Sequence, residues 1–243
     1  MLTFKQYLLE EVKKSKEINF EYHAELNPEI WKGDKLRPEV RKKALEIAKE
    51  FLNSFPTKLK VIDIYIPGSL ANYNWTKKSD FDLHIIIDPV SCRGINVDDY
   101  FKAKGAEWKT KHNISIRGFK VEVFIEPKGT THESSAEYSI ESDKWIKKPK
   151  HIKDLEIDED EIEKTVRNLQ KKIRILLSKN ANPKEIEKLK EKIRVMRERG
   201  LYRTKKGEFS VGNLAFKALR SKGDLDRLTR AKRSREDEKL SLD

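Results

Sequence analysis

The chain has 243 residues and a formal net charge of +12, with 39% charged and 37% hydrophobic residues. No apolar run approaches the roughly 20 residues of a membrane-spanning helix, and a single cysteine, Cys92, cannot form an internal disulfide. The composition therefore excludes the membrane-spanning and disulfide-rich classes. Because residues 1–6 also lack a signal-peptide core, we expect a cytoplasmic protein of one or two domains.

The first 36 residues predict an N-terminal segment distinct from the rest of the chain. Residues 3–18 indicate a short charged helix, and an irregular stretch around Trp31 comes next. Trp31 is expected to pack on the core, with stacking on a nucleic-acid base as the alternative. A second helix is predicted between Pro38, which can start it, and Pro56, which can end it. Its apolar residues keep helical spacing: Val40, Ala44, Ile47, Ala48, Phe51, Leu52 and Phe55.

A short β-branched run at residues 59–66 predicts a strand, which ends in a turn at Pro67 and Gly68. Gly68 permits a backbone conformation that other residues resist, and it lets a phosphate group approach the main chain. The hydroxyl of Ser69 and the neighbouring N–H groups can donate to phosphate oxygens. The turn is therefore a candidate cradle for a triphosphate.

The next strand is predicted over residues 81–88. Its alternation puts Asp80, Asp82 and His84 on one face and the apolar residues on the other. Two carboxylates so close repel and raise each other's pKa unless a cation lies between them, so the spacing favours a hard divalent ion such as Mg²⁺. His84 could donate a hydrogen bond to Asp82 or a phosphate, or serve as a satisfied structural group.

A helix at residues 97–112 and a hairpin around Arg117 and Gly118 lead into a further strand at residues 119–125. Glu122 interrupts the apolar alternation of this strand. An ionised carboxylate in such surroundings needs a partner, and metal ligation would supply one. Glu126 shares the strand face of Glu122 and is the alternative third acid.

The order of these motifs resembles the DNA polymerase β-like nucleotidyltransferase superfamily. Gly68-Ser69 is followed after nine residues by Ser79-Asp80-x-Asp82, and a strand-borne acid comes about forty residues later. The resemblance covers roughly residues 37–126. It implies that Asp80, Asp82 and Glu122 bind Mg²⁺ or Mn²⁺ and carry catalysis, and that Gly68, Ser69 and Ser79 bind an NTP such as ATP. Such sites use two metal ions in an in-line phosphoryl displacement.

Two further segments are similar to motifs of uncharacterised phage-encoded members of this superfamily. They are residues 131–139, which include His132 as a candidate substrate contact, and residues 207–210. One feature departs from the commoner small toxin-type and antibiotic-modifying members, which carry a basic residue soon after Gly-Ser. Here residues 70–75 contain none, so the preference for nucleotide and acceptor stays open.

Beyond Pro149 the pattern becomes helical. One apolar stripe falls within residues 162–177 and a second within residues 186–196, with a break at residues 180–183, which predicts a pair of helices packed on each other or on the catalytic domain. Cations line up opposite the first stripe as candidate nucleic-acid contacts or as a solvated charged face: Lys164, Arg167, Lys171 and Arg174.

The basic excess is concentrated in this region. Residues 151–243 contain 26 Lys and Arg against 18 Asp and Glu, which gives +8 of the total charge of +12. Such an excess would attract RNA or DNA, and it would equally serve solubility. Residues 230–243 have too few apolar side chains to pack, which predicts a mobile tail.

Together these patterns predict an α+β fold, a small mixed β-sheet flanked by helices, with a C-terminal helical region. The expected boundaries are 1–36, 37–150 for the catalytic domain, 151–229 for the helical region and 230–243 for the tail. The predicted activity is transfer of a nucleoside monophosphate from an NTP to a hydroxyl. A nucleic-acid end, such as that of tRNA, is the favoured acceptor, with a protein or small molecule as alternatives. A non-catalytic binding module or an antitoxin-like partner on the same fold is the competing hypothesis.

Overall fold

A computed structural model describes residues 22–89, 97–130, 134–151, 156–178 and 181–242. The chain divides into two compact units, one spanning Phe20–Lys153 and a second that contains Asp154–Asp243. The helix predicted at residues 3–18, the cysteine Cys92 and the candidate contact His132 lie outside the described residues. None of the helices that the structure describes combines the length and the apolar character needed to cross a membrane.

The first unit is built on a mixed six-stranded sheet. The elements of the unit are β1 (Trp31–Lys32), β2 (Lys35–Leu36), α1 (Pro38–Asn53), β3 (Val61–Pro67), β4 (Phe81–Ile87), α2 (Val97–Lys111), β5 (Ser115–Ile116), β6 (Phe119–Pro127), β7 (Glu137–Ser139) and β8 (Lys144–Lys147). The strand order in the sheet is β5-β6-β4-β3-β7-β8; strands β4 and β6 are parallel, and the other neighbours are antiparallel. This architecture confirms the predicted α+β class.

Alternation along β4 determines which face of the sheet is covered. Phe81, Leu83 and Ile85 are fully buried, while Asp82 points to the opposite face and is only half-buried. Helix α1 contributes its predicted apolar stripe to the same core, and Pro38 occupies its first turn, where a missing N–H costs nothing. The polar face of the sheet is therefore the one that carries the candidate site.

The segment before α1 belongs to the same core. Ile30, Trp31 and Leu36 are buried within it, and Trp31 is 2% exposed. The Trp31 indole N–H donates to the carbonyl of Leu70 at 2.7 Å. The prediction that Trp31 packs on the core is confirmed, and Trp31 is a structural residue that supports the turn after β3.

Asp143 stabilises the turn between β7 and β8, where it adopts a left-handed backbone conformation with a φ of 55°. The Tyr138 hydroxyl donates to its carboxylate at 2.7 Å, and the Lys35 ammonium lies at 3.1 Å. Burial opposes ionisation of Asp143, but these two donors outweigh it and hold the pKa of the carboxyl below its usual value of 3.8. The ionised form therefore stabilises the folded unit.

We expect Asp143→Asn to lower the free energy of unfolding at neutral pH by about 1 kcal/mol or less, because the carboxylate is partly screened by solvent. A depressed folded-state pKa gives stabilisation that is complete above the unfolded pKa and is lost as the pH falls through the folded value. The difference from wild type should thus shrink as the pH falls below the usual carboxyl pKa of 3.8 and through the lower folded-state value. Urea unfolding followed by tryptophan fluorescence measures it, since all four tryptophans lie in this unit. A difference that does not change with pH would contradict this assignment.

The second unit is helical. It consists of α3 (Glu159–Ser178), α4 (Pro183–Arg203), α5 (Val211–Ser221) and α6 (Asp224–Leu240). The predicted break between α3 and α4 is confirmed, and Asn182 and Glu185 form a reciprocal capping box that starts α4. Helix α5, which the sequence patterns did not predict, packs against both α3 and α4 and buries Leu214 and Leu219.

The expected tail is helical as far as Leu240, which differs from the prediction of an unpacked segment. Leu228 is fully buried, and polar contacts hold the residues that follow it. The Arg235 guanidinium donates to the carbonyl of Leu177 in the last turn of α3 and to that of Ala181 beyond the helix, and Lys232 pairs with Glu187 at 2.8 Å. The small number of apolar residues in this segment was misleading, because lysine and arginine side chains make its contacts instead of apolar ones.

A close approach of backbones joins α4 to α5. A Cβ atom on Gly212 would lie 2.5 Å from the carbonyl oxygen of Met196, a separation that real Cβ atoms do not reach. Alanine normally favours a helix over glycine by about 1 kcal/mol. At this position the overlap should reverse the sign, since relief requires the two helices to move apart.

We expect Gly212→Ala to destabilise the helical unit by roughly 1–3 kcal/mol, the usual cost of overpacking. Thermal unfolding followed by circular dichroism measures the change. Ser221→Ala, at the exposed end of the same helix, is the matched control and should leave the transition nearly unchanged. An unchanged or raised melting temperature for Gly212→Ala would mean that the helices do not meet at this glycine.

Candidate functional site

The turn after β3 owes its shape to Gly68. This residue has φ 77° and ψ −154°, a combination that is essentially restricted to glycine. A single 3₁₀ turn, Ser69–Ala71, follows, and Leu70 and Ala71 are buried in the core. The backbone conformation and the buried side chains together fix the turn at the end of the strand.

Hydrogen bonds from two other loops support this turn. The Gly68 N–H donates to the Ser134 hydroxyl at 3.1 Å, and the Ser69 and Ser79 hydroxyls lie 2.9 Å apart. Ser79 also accepts the Thr76 N–H at 3.0 Å, so its own proton can be donated to Ser69. In that arrangement the proton of the Ser69 hydroxyl remains available to a phosphate oxygen.

The first two acids lie beside the turn. Asp80 directly precedes β4 and Asp82 is its second residue, so both belong to the polar face of the strand. A Cβ atom added to Gly68 would lie 3.6 Å from a carboxylate oxygen of Asp82. The predicted adjacency of the glycine turn and the Asp-x-Asp motif is therefore present in the fold.

The third acid comes from β6. In the parallel register of β4 and β6, Asp82 is opposite Glu122 and Ile86 is opposite Glu126. Paired residues on parallel strands project to the same face, so the two carboxylates are neighbours. Glu126 lies four residues, or about 13 Å, farther along the strand. Of the two acids that the sequence left open, the register brings Glu122 to Asp82.

Glu122 has a partner that the sequence pattern did not predict. The Lys109 ammonium, from the last turn of α2, forms an ion pair with its carboxylate; the Lys109 side chain is 51% exposed and that of Glu122 is 15% exposed. The sequence predicted that this acid needs a partner and that metal ligation would supply it; in this structure the partner is a lysine. Because the Lys109 side chain is long and half-exposed, this contact can open without rearrangement of the strands.

The donor set suits a hard divalent cation, because carboxylate oxygens are the ligands that Mg²⁺ prefers. Within the described ranges, however, no three His, Cys, Asp or Glu side chains form a group that could hold a metal ion. Asp82 and Glu122 supply two adjacent oxygen donors, and Asp80 lies two residues from Asp82. A closed metal centre would require these three carboxylates to draw together and Lys109 to release Glu122.

His84 takes part in a polar cluster on the same sheet face. Its side chain is almost fully buried, and its Nδ1 atom lies 2.9 Å from the Glu126 carboxylate. Burial and the adjacent Glu126 carboxylate raise the pKa of the Tyr65 hydroxyl, whose ring contacts that of His84. His84 is therefore engaged with Glu126. This contact favours the role of a satisfied structural group over that of a hydrogen-bond donor to Asp82 or a phosphate.

Sequence reasoning missed the residues that support the turn. Ser134 accepts from Gly68, Ser135 accepts from the Asn72 side chain at 2.6 Å, and the Lys147 ammonium donates to the Ser134 carbonyl at 2.6 Å. The motif at residues 131–139 was the signal that pointed to this loop. Its relation to Gly68 depends on contacts between distant parts of the chain, which the motif alone does not reveal.

The predicted nucleic-acid contacts belong to the helical unit. Lys164, Arg167, Lys171 and Arg174 all lie on α3. Arg167 pairs with Glu163 at 2.9 Å, and Lys164 lies 3.8 Å from Glu161. Acidic residues one turn away thus neutralise part of this stripe, as expected for a solvated helical face.

The mixed sheet, with a glycine turn beside acids on neighbouring strands, is consistent with the nucleotidyltransferase fold. A family model of the nucleotidyltransferase domain matches residues 48–202, and the chain belongs to this family. The match includes Gly68, Asp80, Asp82 and Glu122, and it continues through α3 into α4, well beyond residue 126. No curated protein and no solved structure matches the chain significantly.

Proposed function

We propose that this protein is a metal-dependent nucleotidyltransferase that moves a nucleoside monophosphate from an NTP to an acceptor hydroxyl. The observation that carries the proposal is the β4–β6 register, in which Asp82 and Glu122 are neighbours while Gly68 lies against Asp82. Membership of the nucleotidyltransferase family supports the class of reaction. We also propose that the protein is cytoplasmic and that it belongs with the phage-encoded members that it resembles.

Each side chain has a role in this proposal. The acceptor oxygen attacks the α-phosphorus of the NTP, the bond from that phosphorus to the bridging oxygen breaks, and pyrophosphate leaves. Glu122 takes the proton of the acceptor hydroxyl, and Ser69, oriented by Ser79, donates to a phosphate oxygen. Asp80 and Asp82, with Glu122, would hold Mg²⁺ or Mn²⁺. When bound, such a cation neutralises the charge of the triphosphate and stabilises the attacking and leaving oxygens.

The direct test is a labelling reaction. The protein is incubated with each α-labelled NTP in turn, Mg²⁺ or Mn²⁺, total RNA and cell lysate, and the labelled macromolecule is identified. We expect label in a nucleic-acid end, with ATP as the first NTP to try, and no label with Asp80→Ala. Label in protein or a small molecule would change the acceptor but keep the enzyme class. Equal labelling by Asp80→Ala would reject the assignment of the site.

A second candidate function is a non-catalytic binding module or an antitoxin-like partner on the same fold. The Lys109–Glu122 ion pair favours it, because a carboxylate held by a lysine can be purely structural. A pull-down separates the two hypotheses: a binding module retains its partner after Asp82→Ala and needs neither NTP nor metal. A stoichiometric protein complex that depends on the helical unit would favour the antitoxin-like role.

A further inference from the structure

Two loop segments of the first unit form one aromatic surface. They are residues 72–78, which lie between the glycine turn and Asp80, and residues 147–151, which begin at the last residue of β8; we call them the loop surface. The rings of Tyr73 and His151 stack, with their centroids 3.7 Å apart and their planes at 20°. Tyr22 meets both rings edge-on at 6.1 Å. His151 is exposed to solvent, while Tyr73 is half-buried.

The same segments are strongly basic. They contain five lysines and no aspartate or glutamate: Lys77, Lys78, Lys147, Lys148 and Lys150. Lys148 reaches Asp34 from the neighbouring hairpin, and Lys147 donates to the Ser134 carbonyl. In the sequence no basic residue soon follows Gly-Ser, and Lys147 brings a cation from another part of the chain to the loop that supports the turn.

The loop surface is joined to the candidate site by hydrogen bonds. Lys147 bonds to Ser134, whose hydroxyl accepts the N–H of Gly68. Asn72, at the start of the surface, donates to the neighbouring Ser135 at 2.6 Å. These contacts connect both segments of the loop surface to the loop that holds the Gly68 turn, within the first unit.

The basic stripe on α3 is less suited to a polyanion than this surface. Two of its four cations, Lys164 and Arg167, face Glu161 and Glu163. Within the two segments of the loop surface no acid interrupts the five lysines, although Lys148 pairs with Asp34 outside them, and the stacked rings of Tyr73 and His151 lie in the same segments. Proteins that bind single-stranded nucleic acid use this combination, since lysines follow the backbone while rings stack on unpaired bases.

We propose that the loop surface binds single-stranded nucleic acid and that His151, stacked on Tyr73, is a platform for one unpaired base. The bound strand would be the acceptor of the transfer reaction, and this part of the proposal rests on the proposed function. The binding itself requires neither NTP nor transfer. Duplexes are disfavoured because their bases are stacked in pairs and cannot lie on the ring.

The test uses the full chain and fluorescein-labelled probes of about 20 nucleotides and mixed sequence, in single-stranded RNA, single-stranded DNA and duplex form. Fluorescence anisotropy gives the affinity over a range of NaCl concentrations, without NTP or metal. We expect Lys77→Ala/Lys150→Ala to weaken single-strand binding and to reduce the slope of log affinity against log salt by about 1.4, the share of two released counterions. His151→Ala should weaken binding at least roughly fivefold and leave the slope unchanged.

Lys171→Ala/Arg174→Ala removes two cations from α3 and is the matched control. The proposal is overturned if this control carries the loss, if duplex binds as tightly as single strand, if His151→Ala has no effect, or if no probe binds. Measuring both strand binding and nucleotide transfer, for the wild type and for Asp82→Asn, separates the two proposals. If the strand binds but neither protein transfers a nucleotide, the enzyme assignment is rejected and the binding surface is kept. Transfer to a protein or small molecule without strand binding rejects the surface alone. The comparison of RNA with DNA then identifies the strand.

Discussion

Asp82→Asn is expected to abolish nucleotidyl transfer while leaving the fold intact. Asp82 lies at the centre of the candidate site, between the Gly68 turn and Glu122. The amide keeps the shape of the side chain but removes the charge that would hold a divalent cation. Losing several kcal/mol of transition-state stabilisation corresponds to a fall of roughly a thousandfold in rate. Initial rates of incorporation of labelled nucleotide at saturating NTP measure the loss.

Asp88→Asn is the control for this substitution. It makes the same chemical change just beyond the opposite end of β4, where Asp88 pairs with Lys60 at 3.1 Å on the surface. We expect the rate of Asp88→Asn to stay near that of wild type. If Asp82→Asn retains more than about a tenth of the wild-type rate, a difference below about 1.4 kcal/mol, Asp82 does not hold a catalytic cation.

The sheet was predictable because apolar and polar residues alternate along its strands, and this alternation follows from strand geometry alone. On β4 Phe81, Leu83, Ile85 and Ile87 fall on one face and Asp82 and His84 on the other, which defines the face of the sheet that is covered. Helix α1 was equally clear, since an apolar stripe between two prolines permits little else. These elements depend on near neighbours in the sequence.

The site was predictable only in part, because its completion depends on tertiary contacts. The acids followed from strand periodicity, but the choice of Glu122 over Glu126 required the parallel register. Lys109 lies thirteen residues before Glu122, on a helix whose other lysines look equivalent in sequence. Only the packing of α2 against β6 shows which lysine reaches the acid.

The helical unit shows where composition stops being a guide to structure. Helix α6 has few apolar residues, yet Leu228 is buried and Arg235 donates to the Leu177 carbonyl in the last turn of α3. The carbonyls in the last turn of a helix lack intrahelical partners, and an arginine from a distant segment can satisfy them. A sequence does not disclose that such an acceptor lies within reach, so a charged segment was expected to be a tail.

Gly68→Ala should reduce transfer through backbone strain. The added Cβ would lie 3.6 Å from Asp82, an ordinary contact, so there is space for the methyl group. The strain comes from φ 77° and ψ −154°, which cost a non-glycine residue on the order of 1–3 kcal/mol. Relaxation would turn the Gly68 N–H away from Ser134 and shift Ser69. We therefore expect a rise of roughly tenfold in KM for the NTP together with a lower kcat.

Gly33→Ala is the control that distinguishes the general effect of backbone strain on stability from its effect on the candidate site. Gly33 has a φ of 62° in the β1–β2 hairpin, with no atom within 4 Å of an added Cβ. It should cost about 1–2 kcal/mol of stability and leave KM unchanged, because no predicted ligand contact depends on it. If both variants lose stability and neither changes KM, the turn at Gly68 is a structural corner and the triphosphate binds elsewhere. If only Gly68→Ala changes KM, the conformation of this one residue sets the phosphate contacts, since the methyl group itself fits beside Asp82.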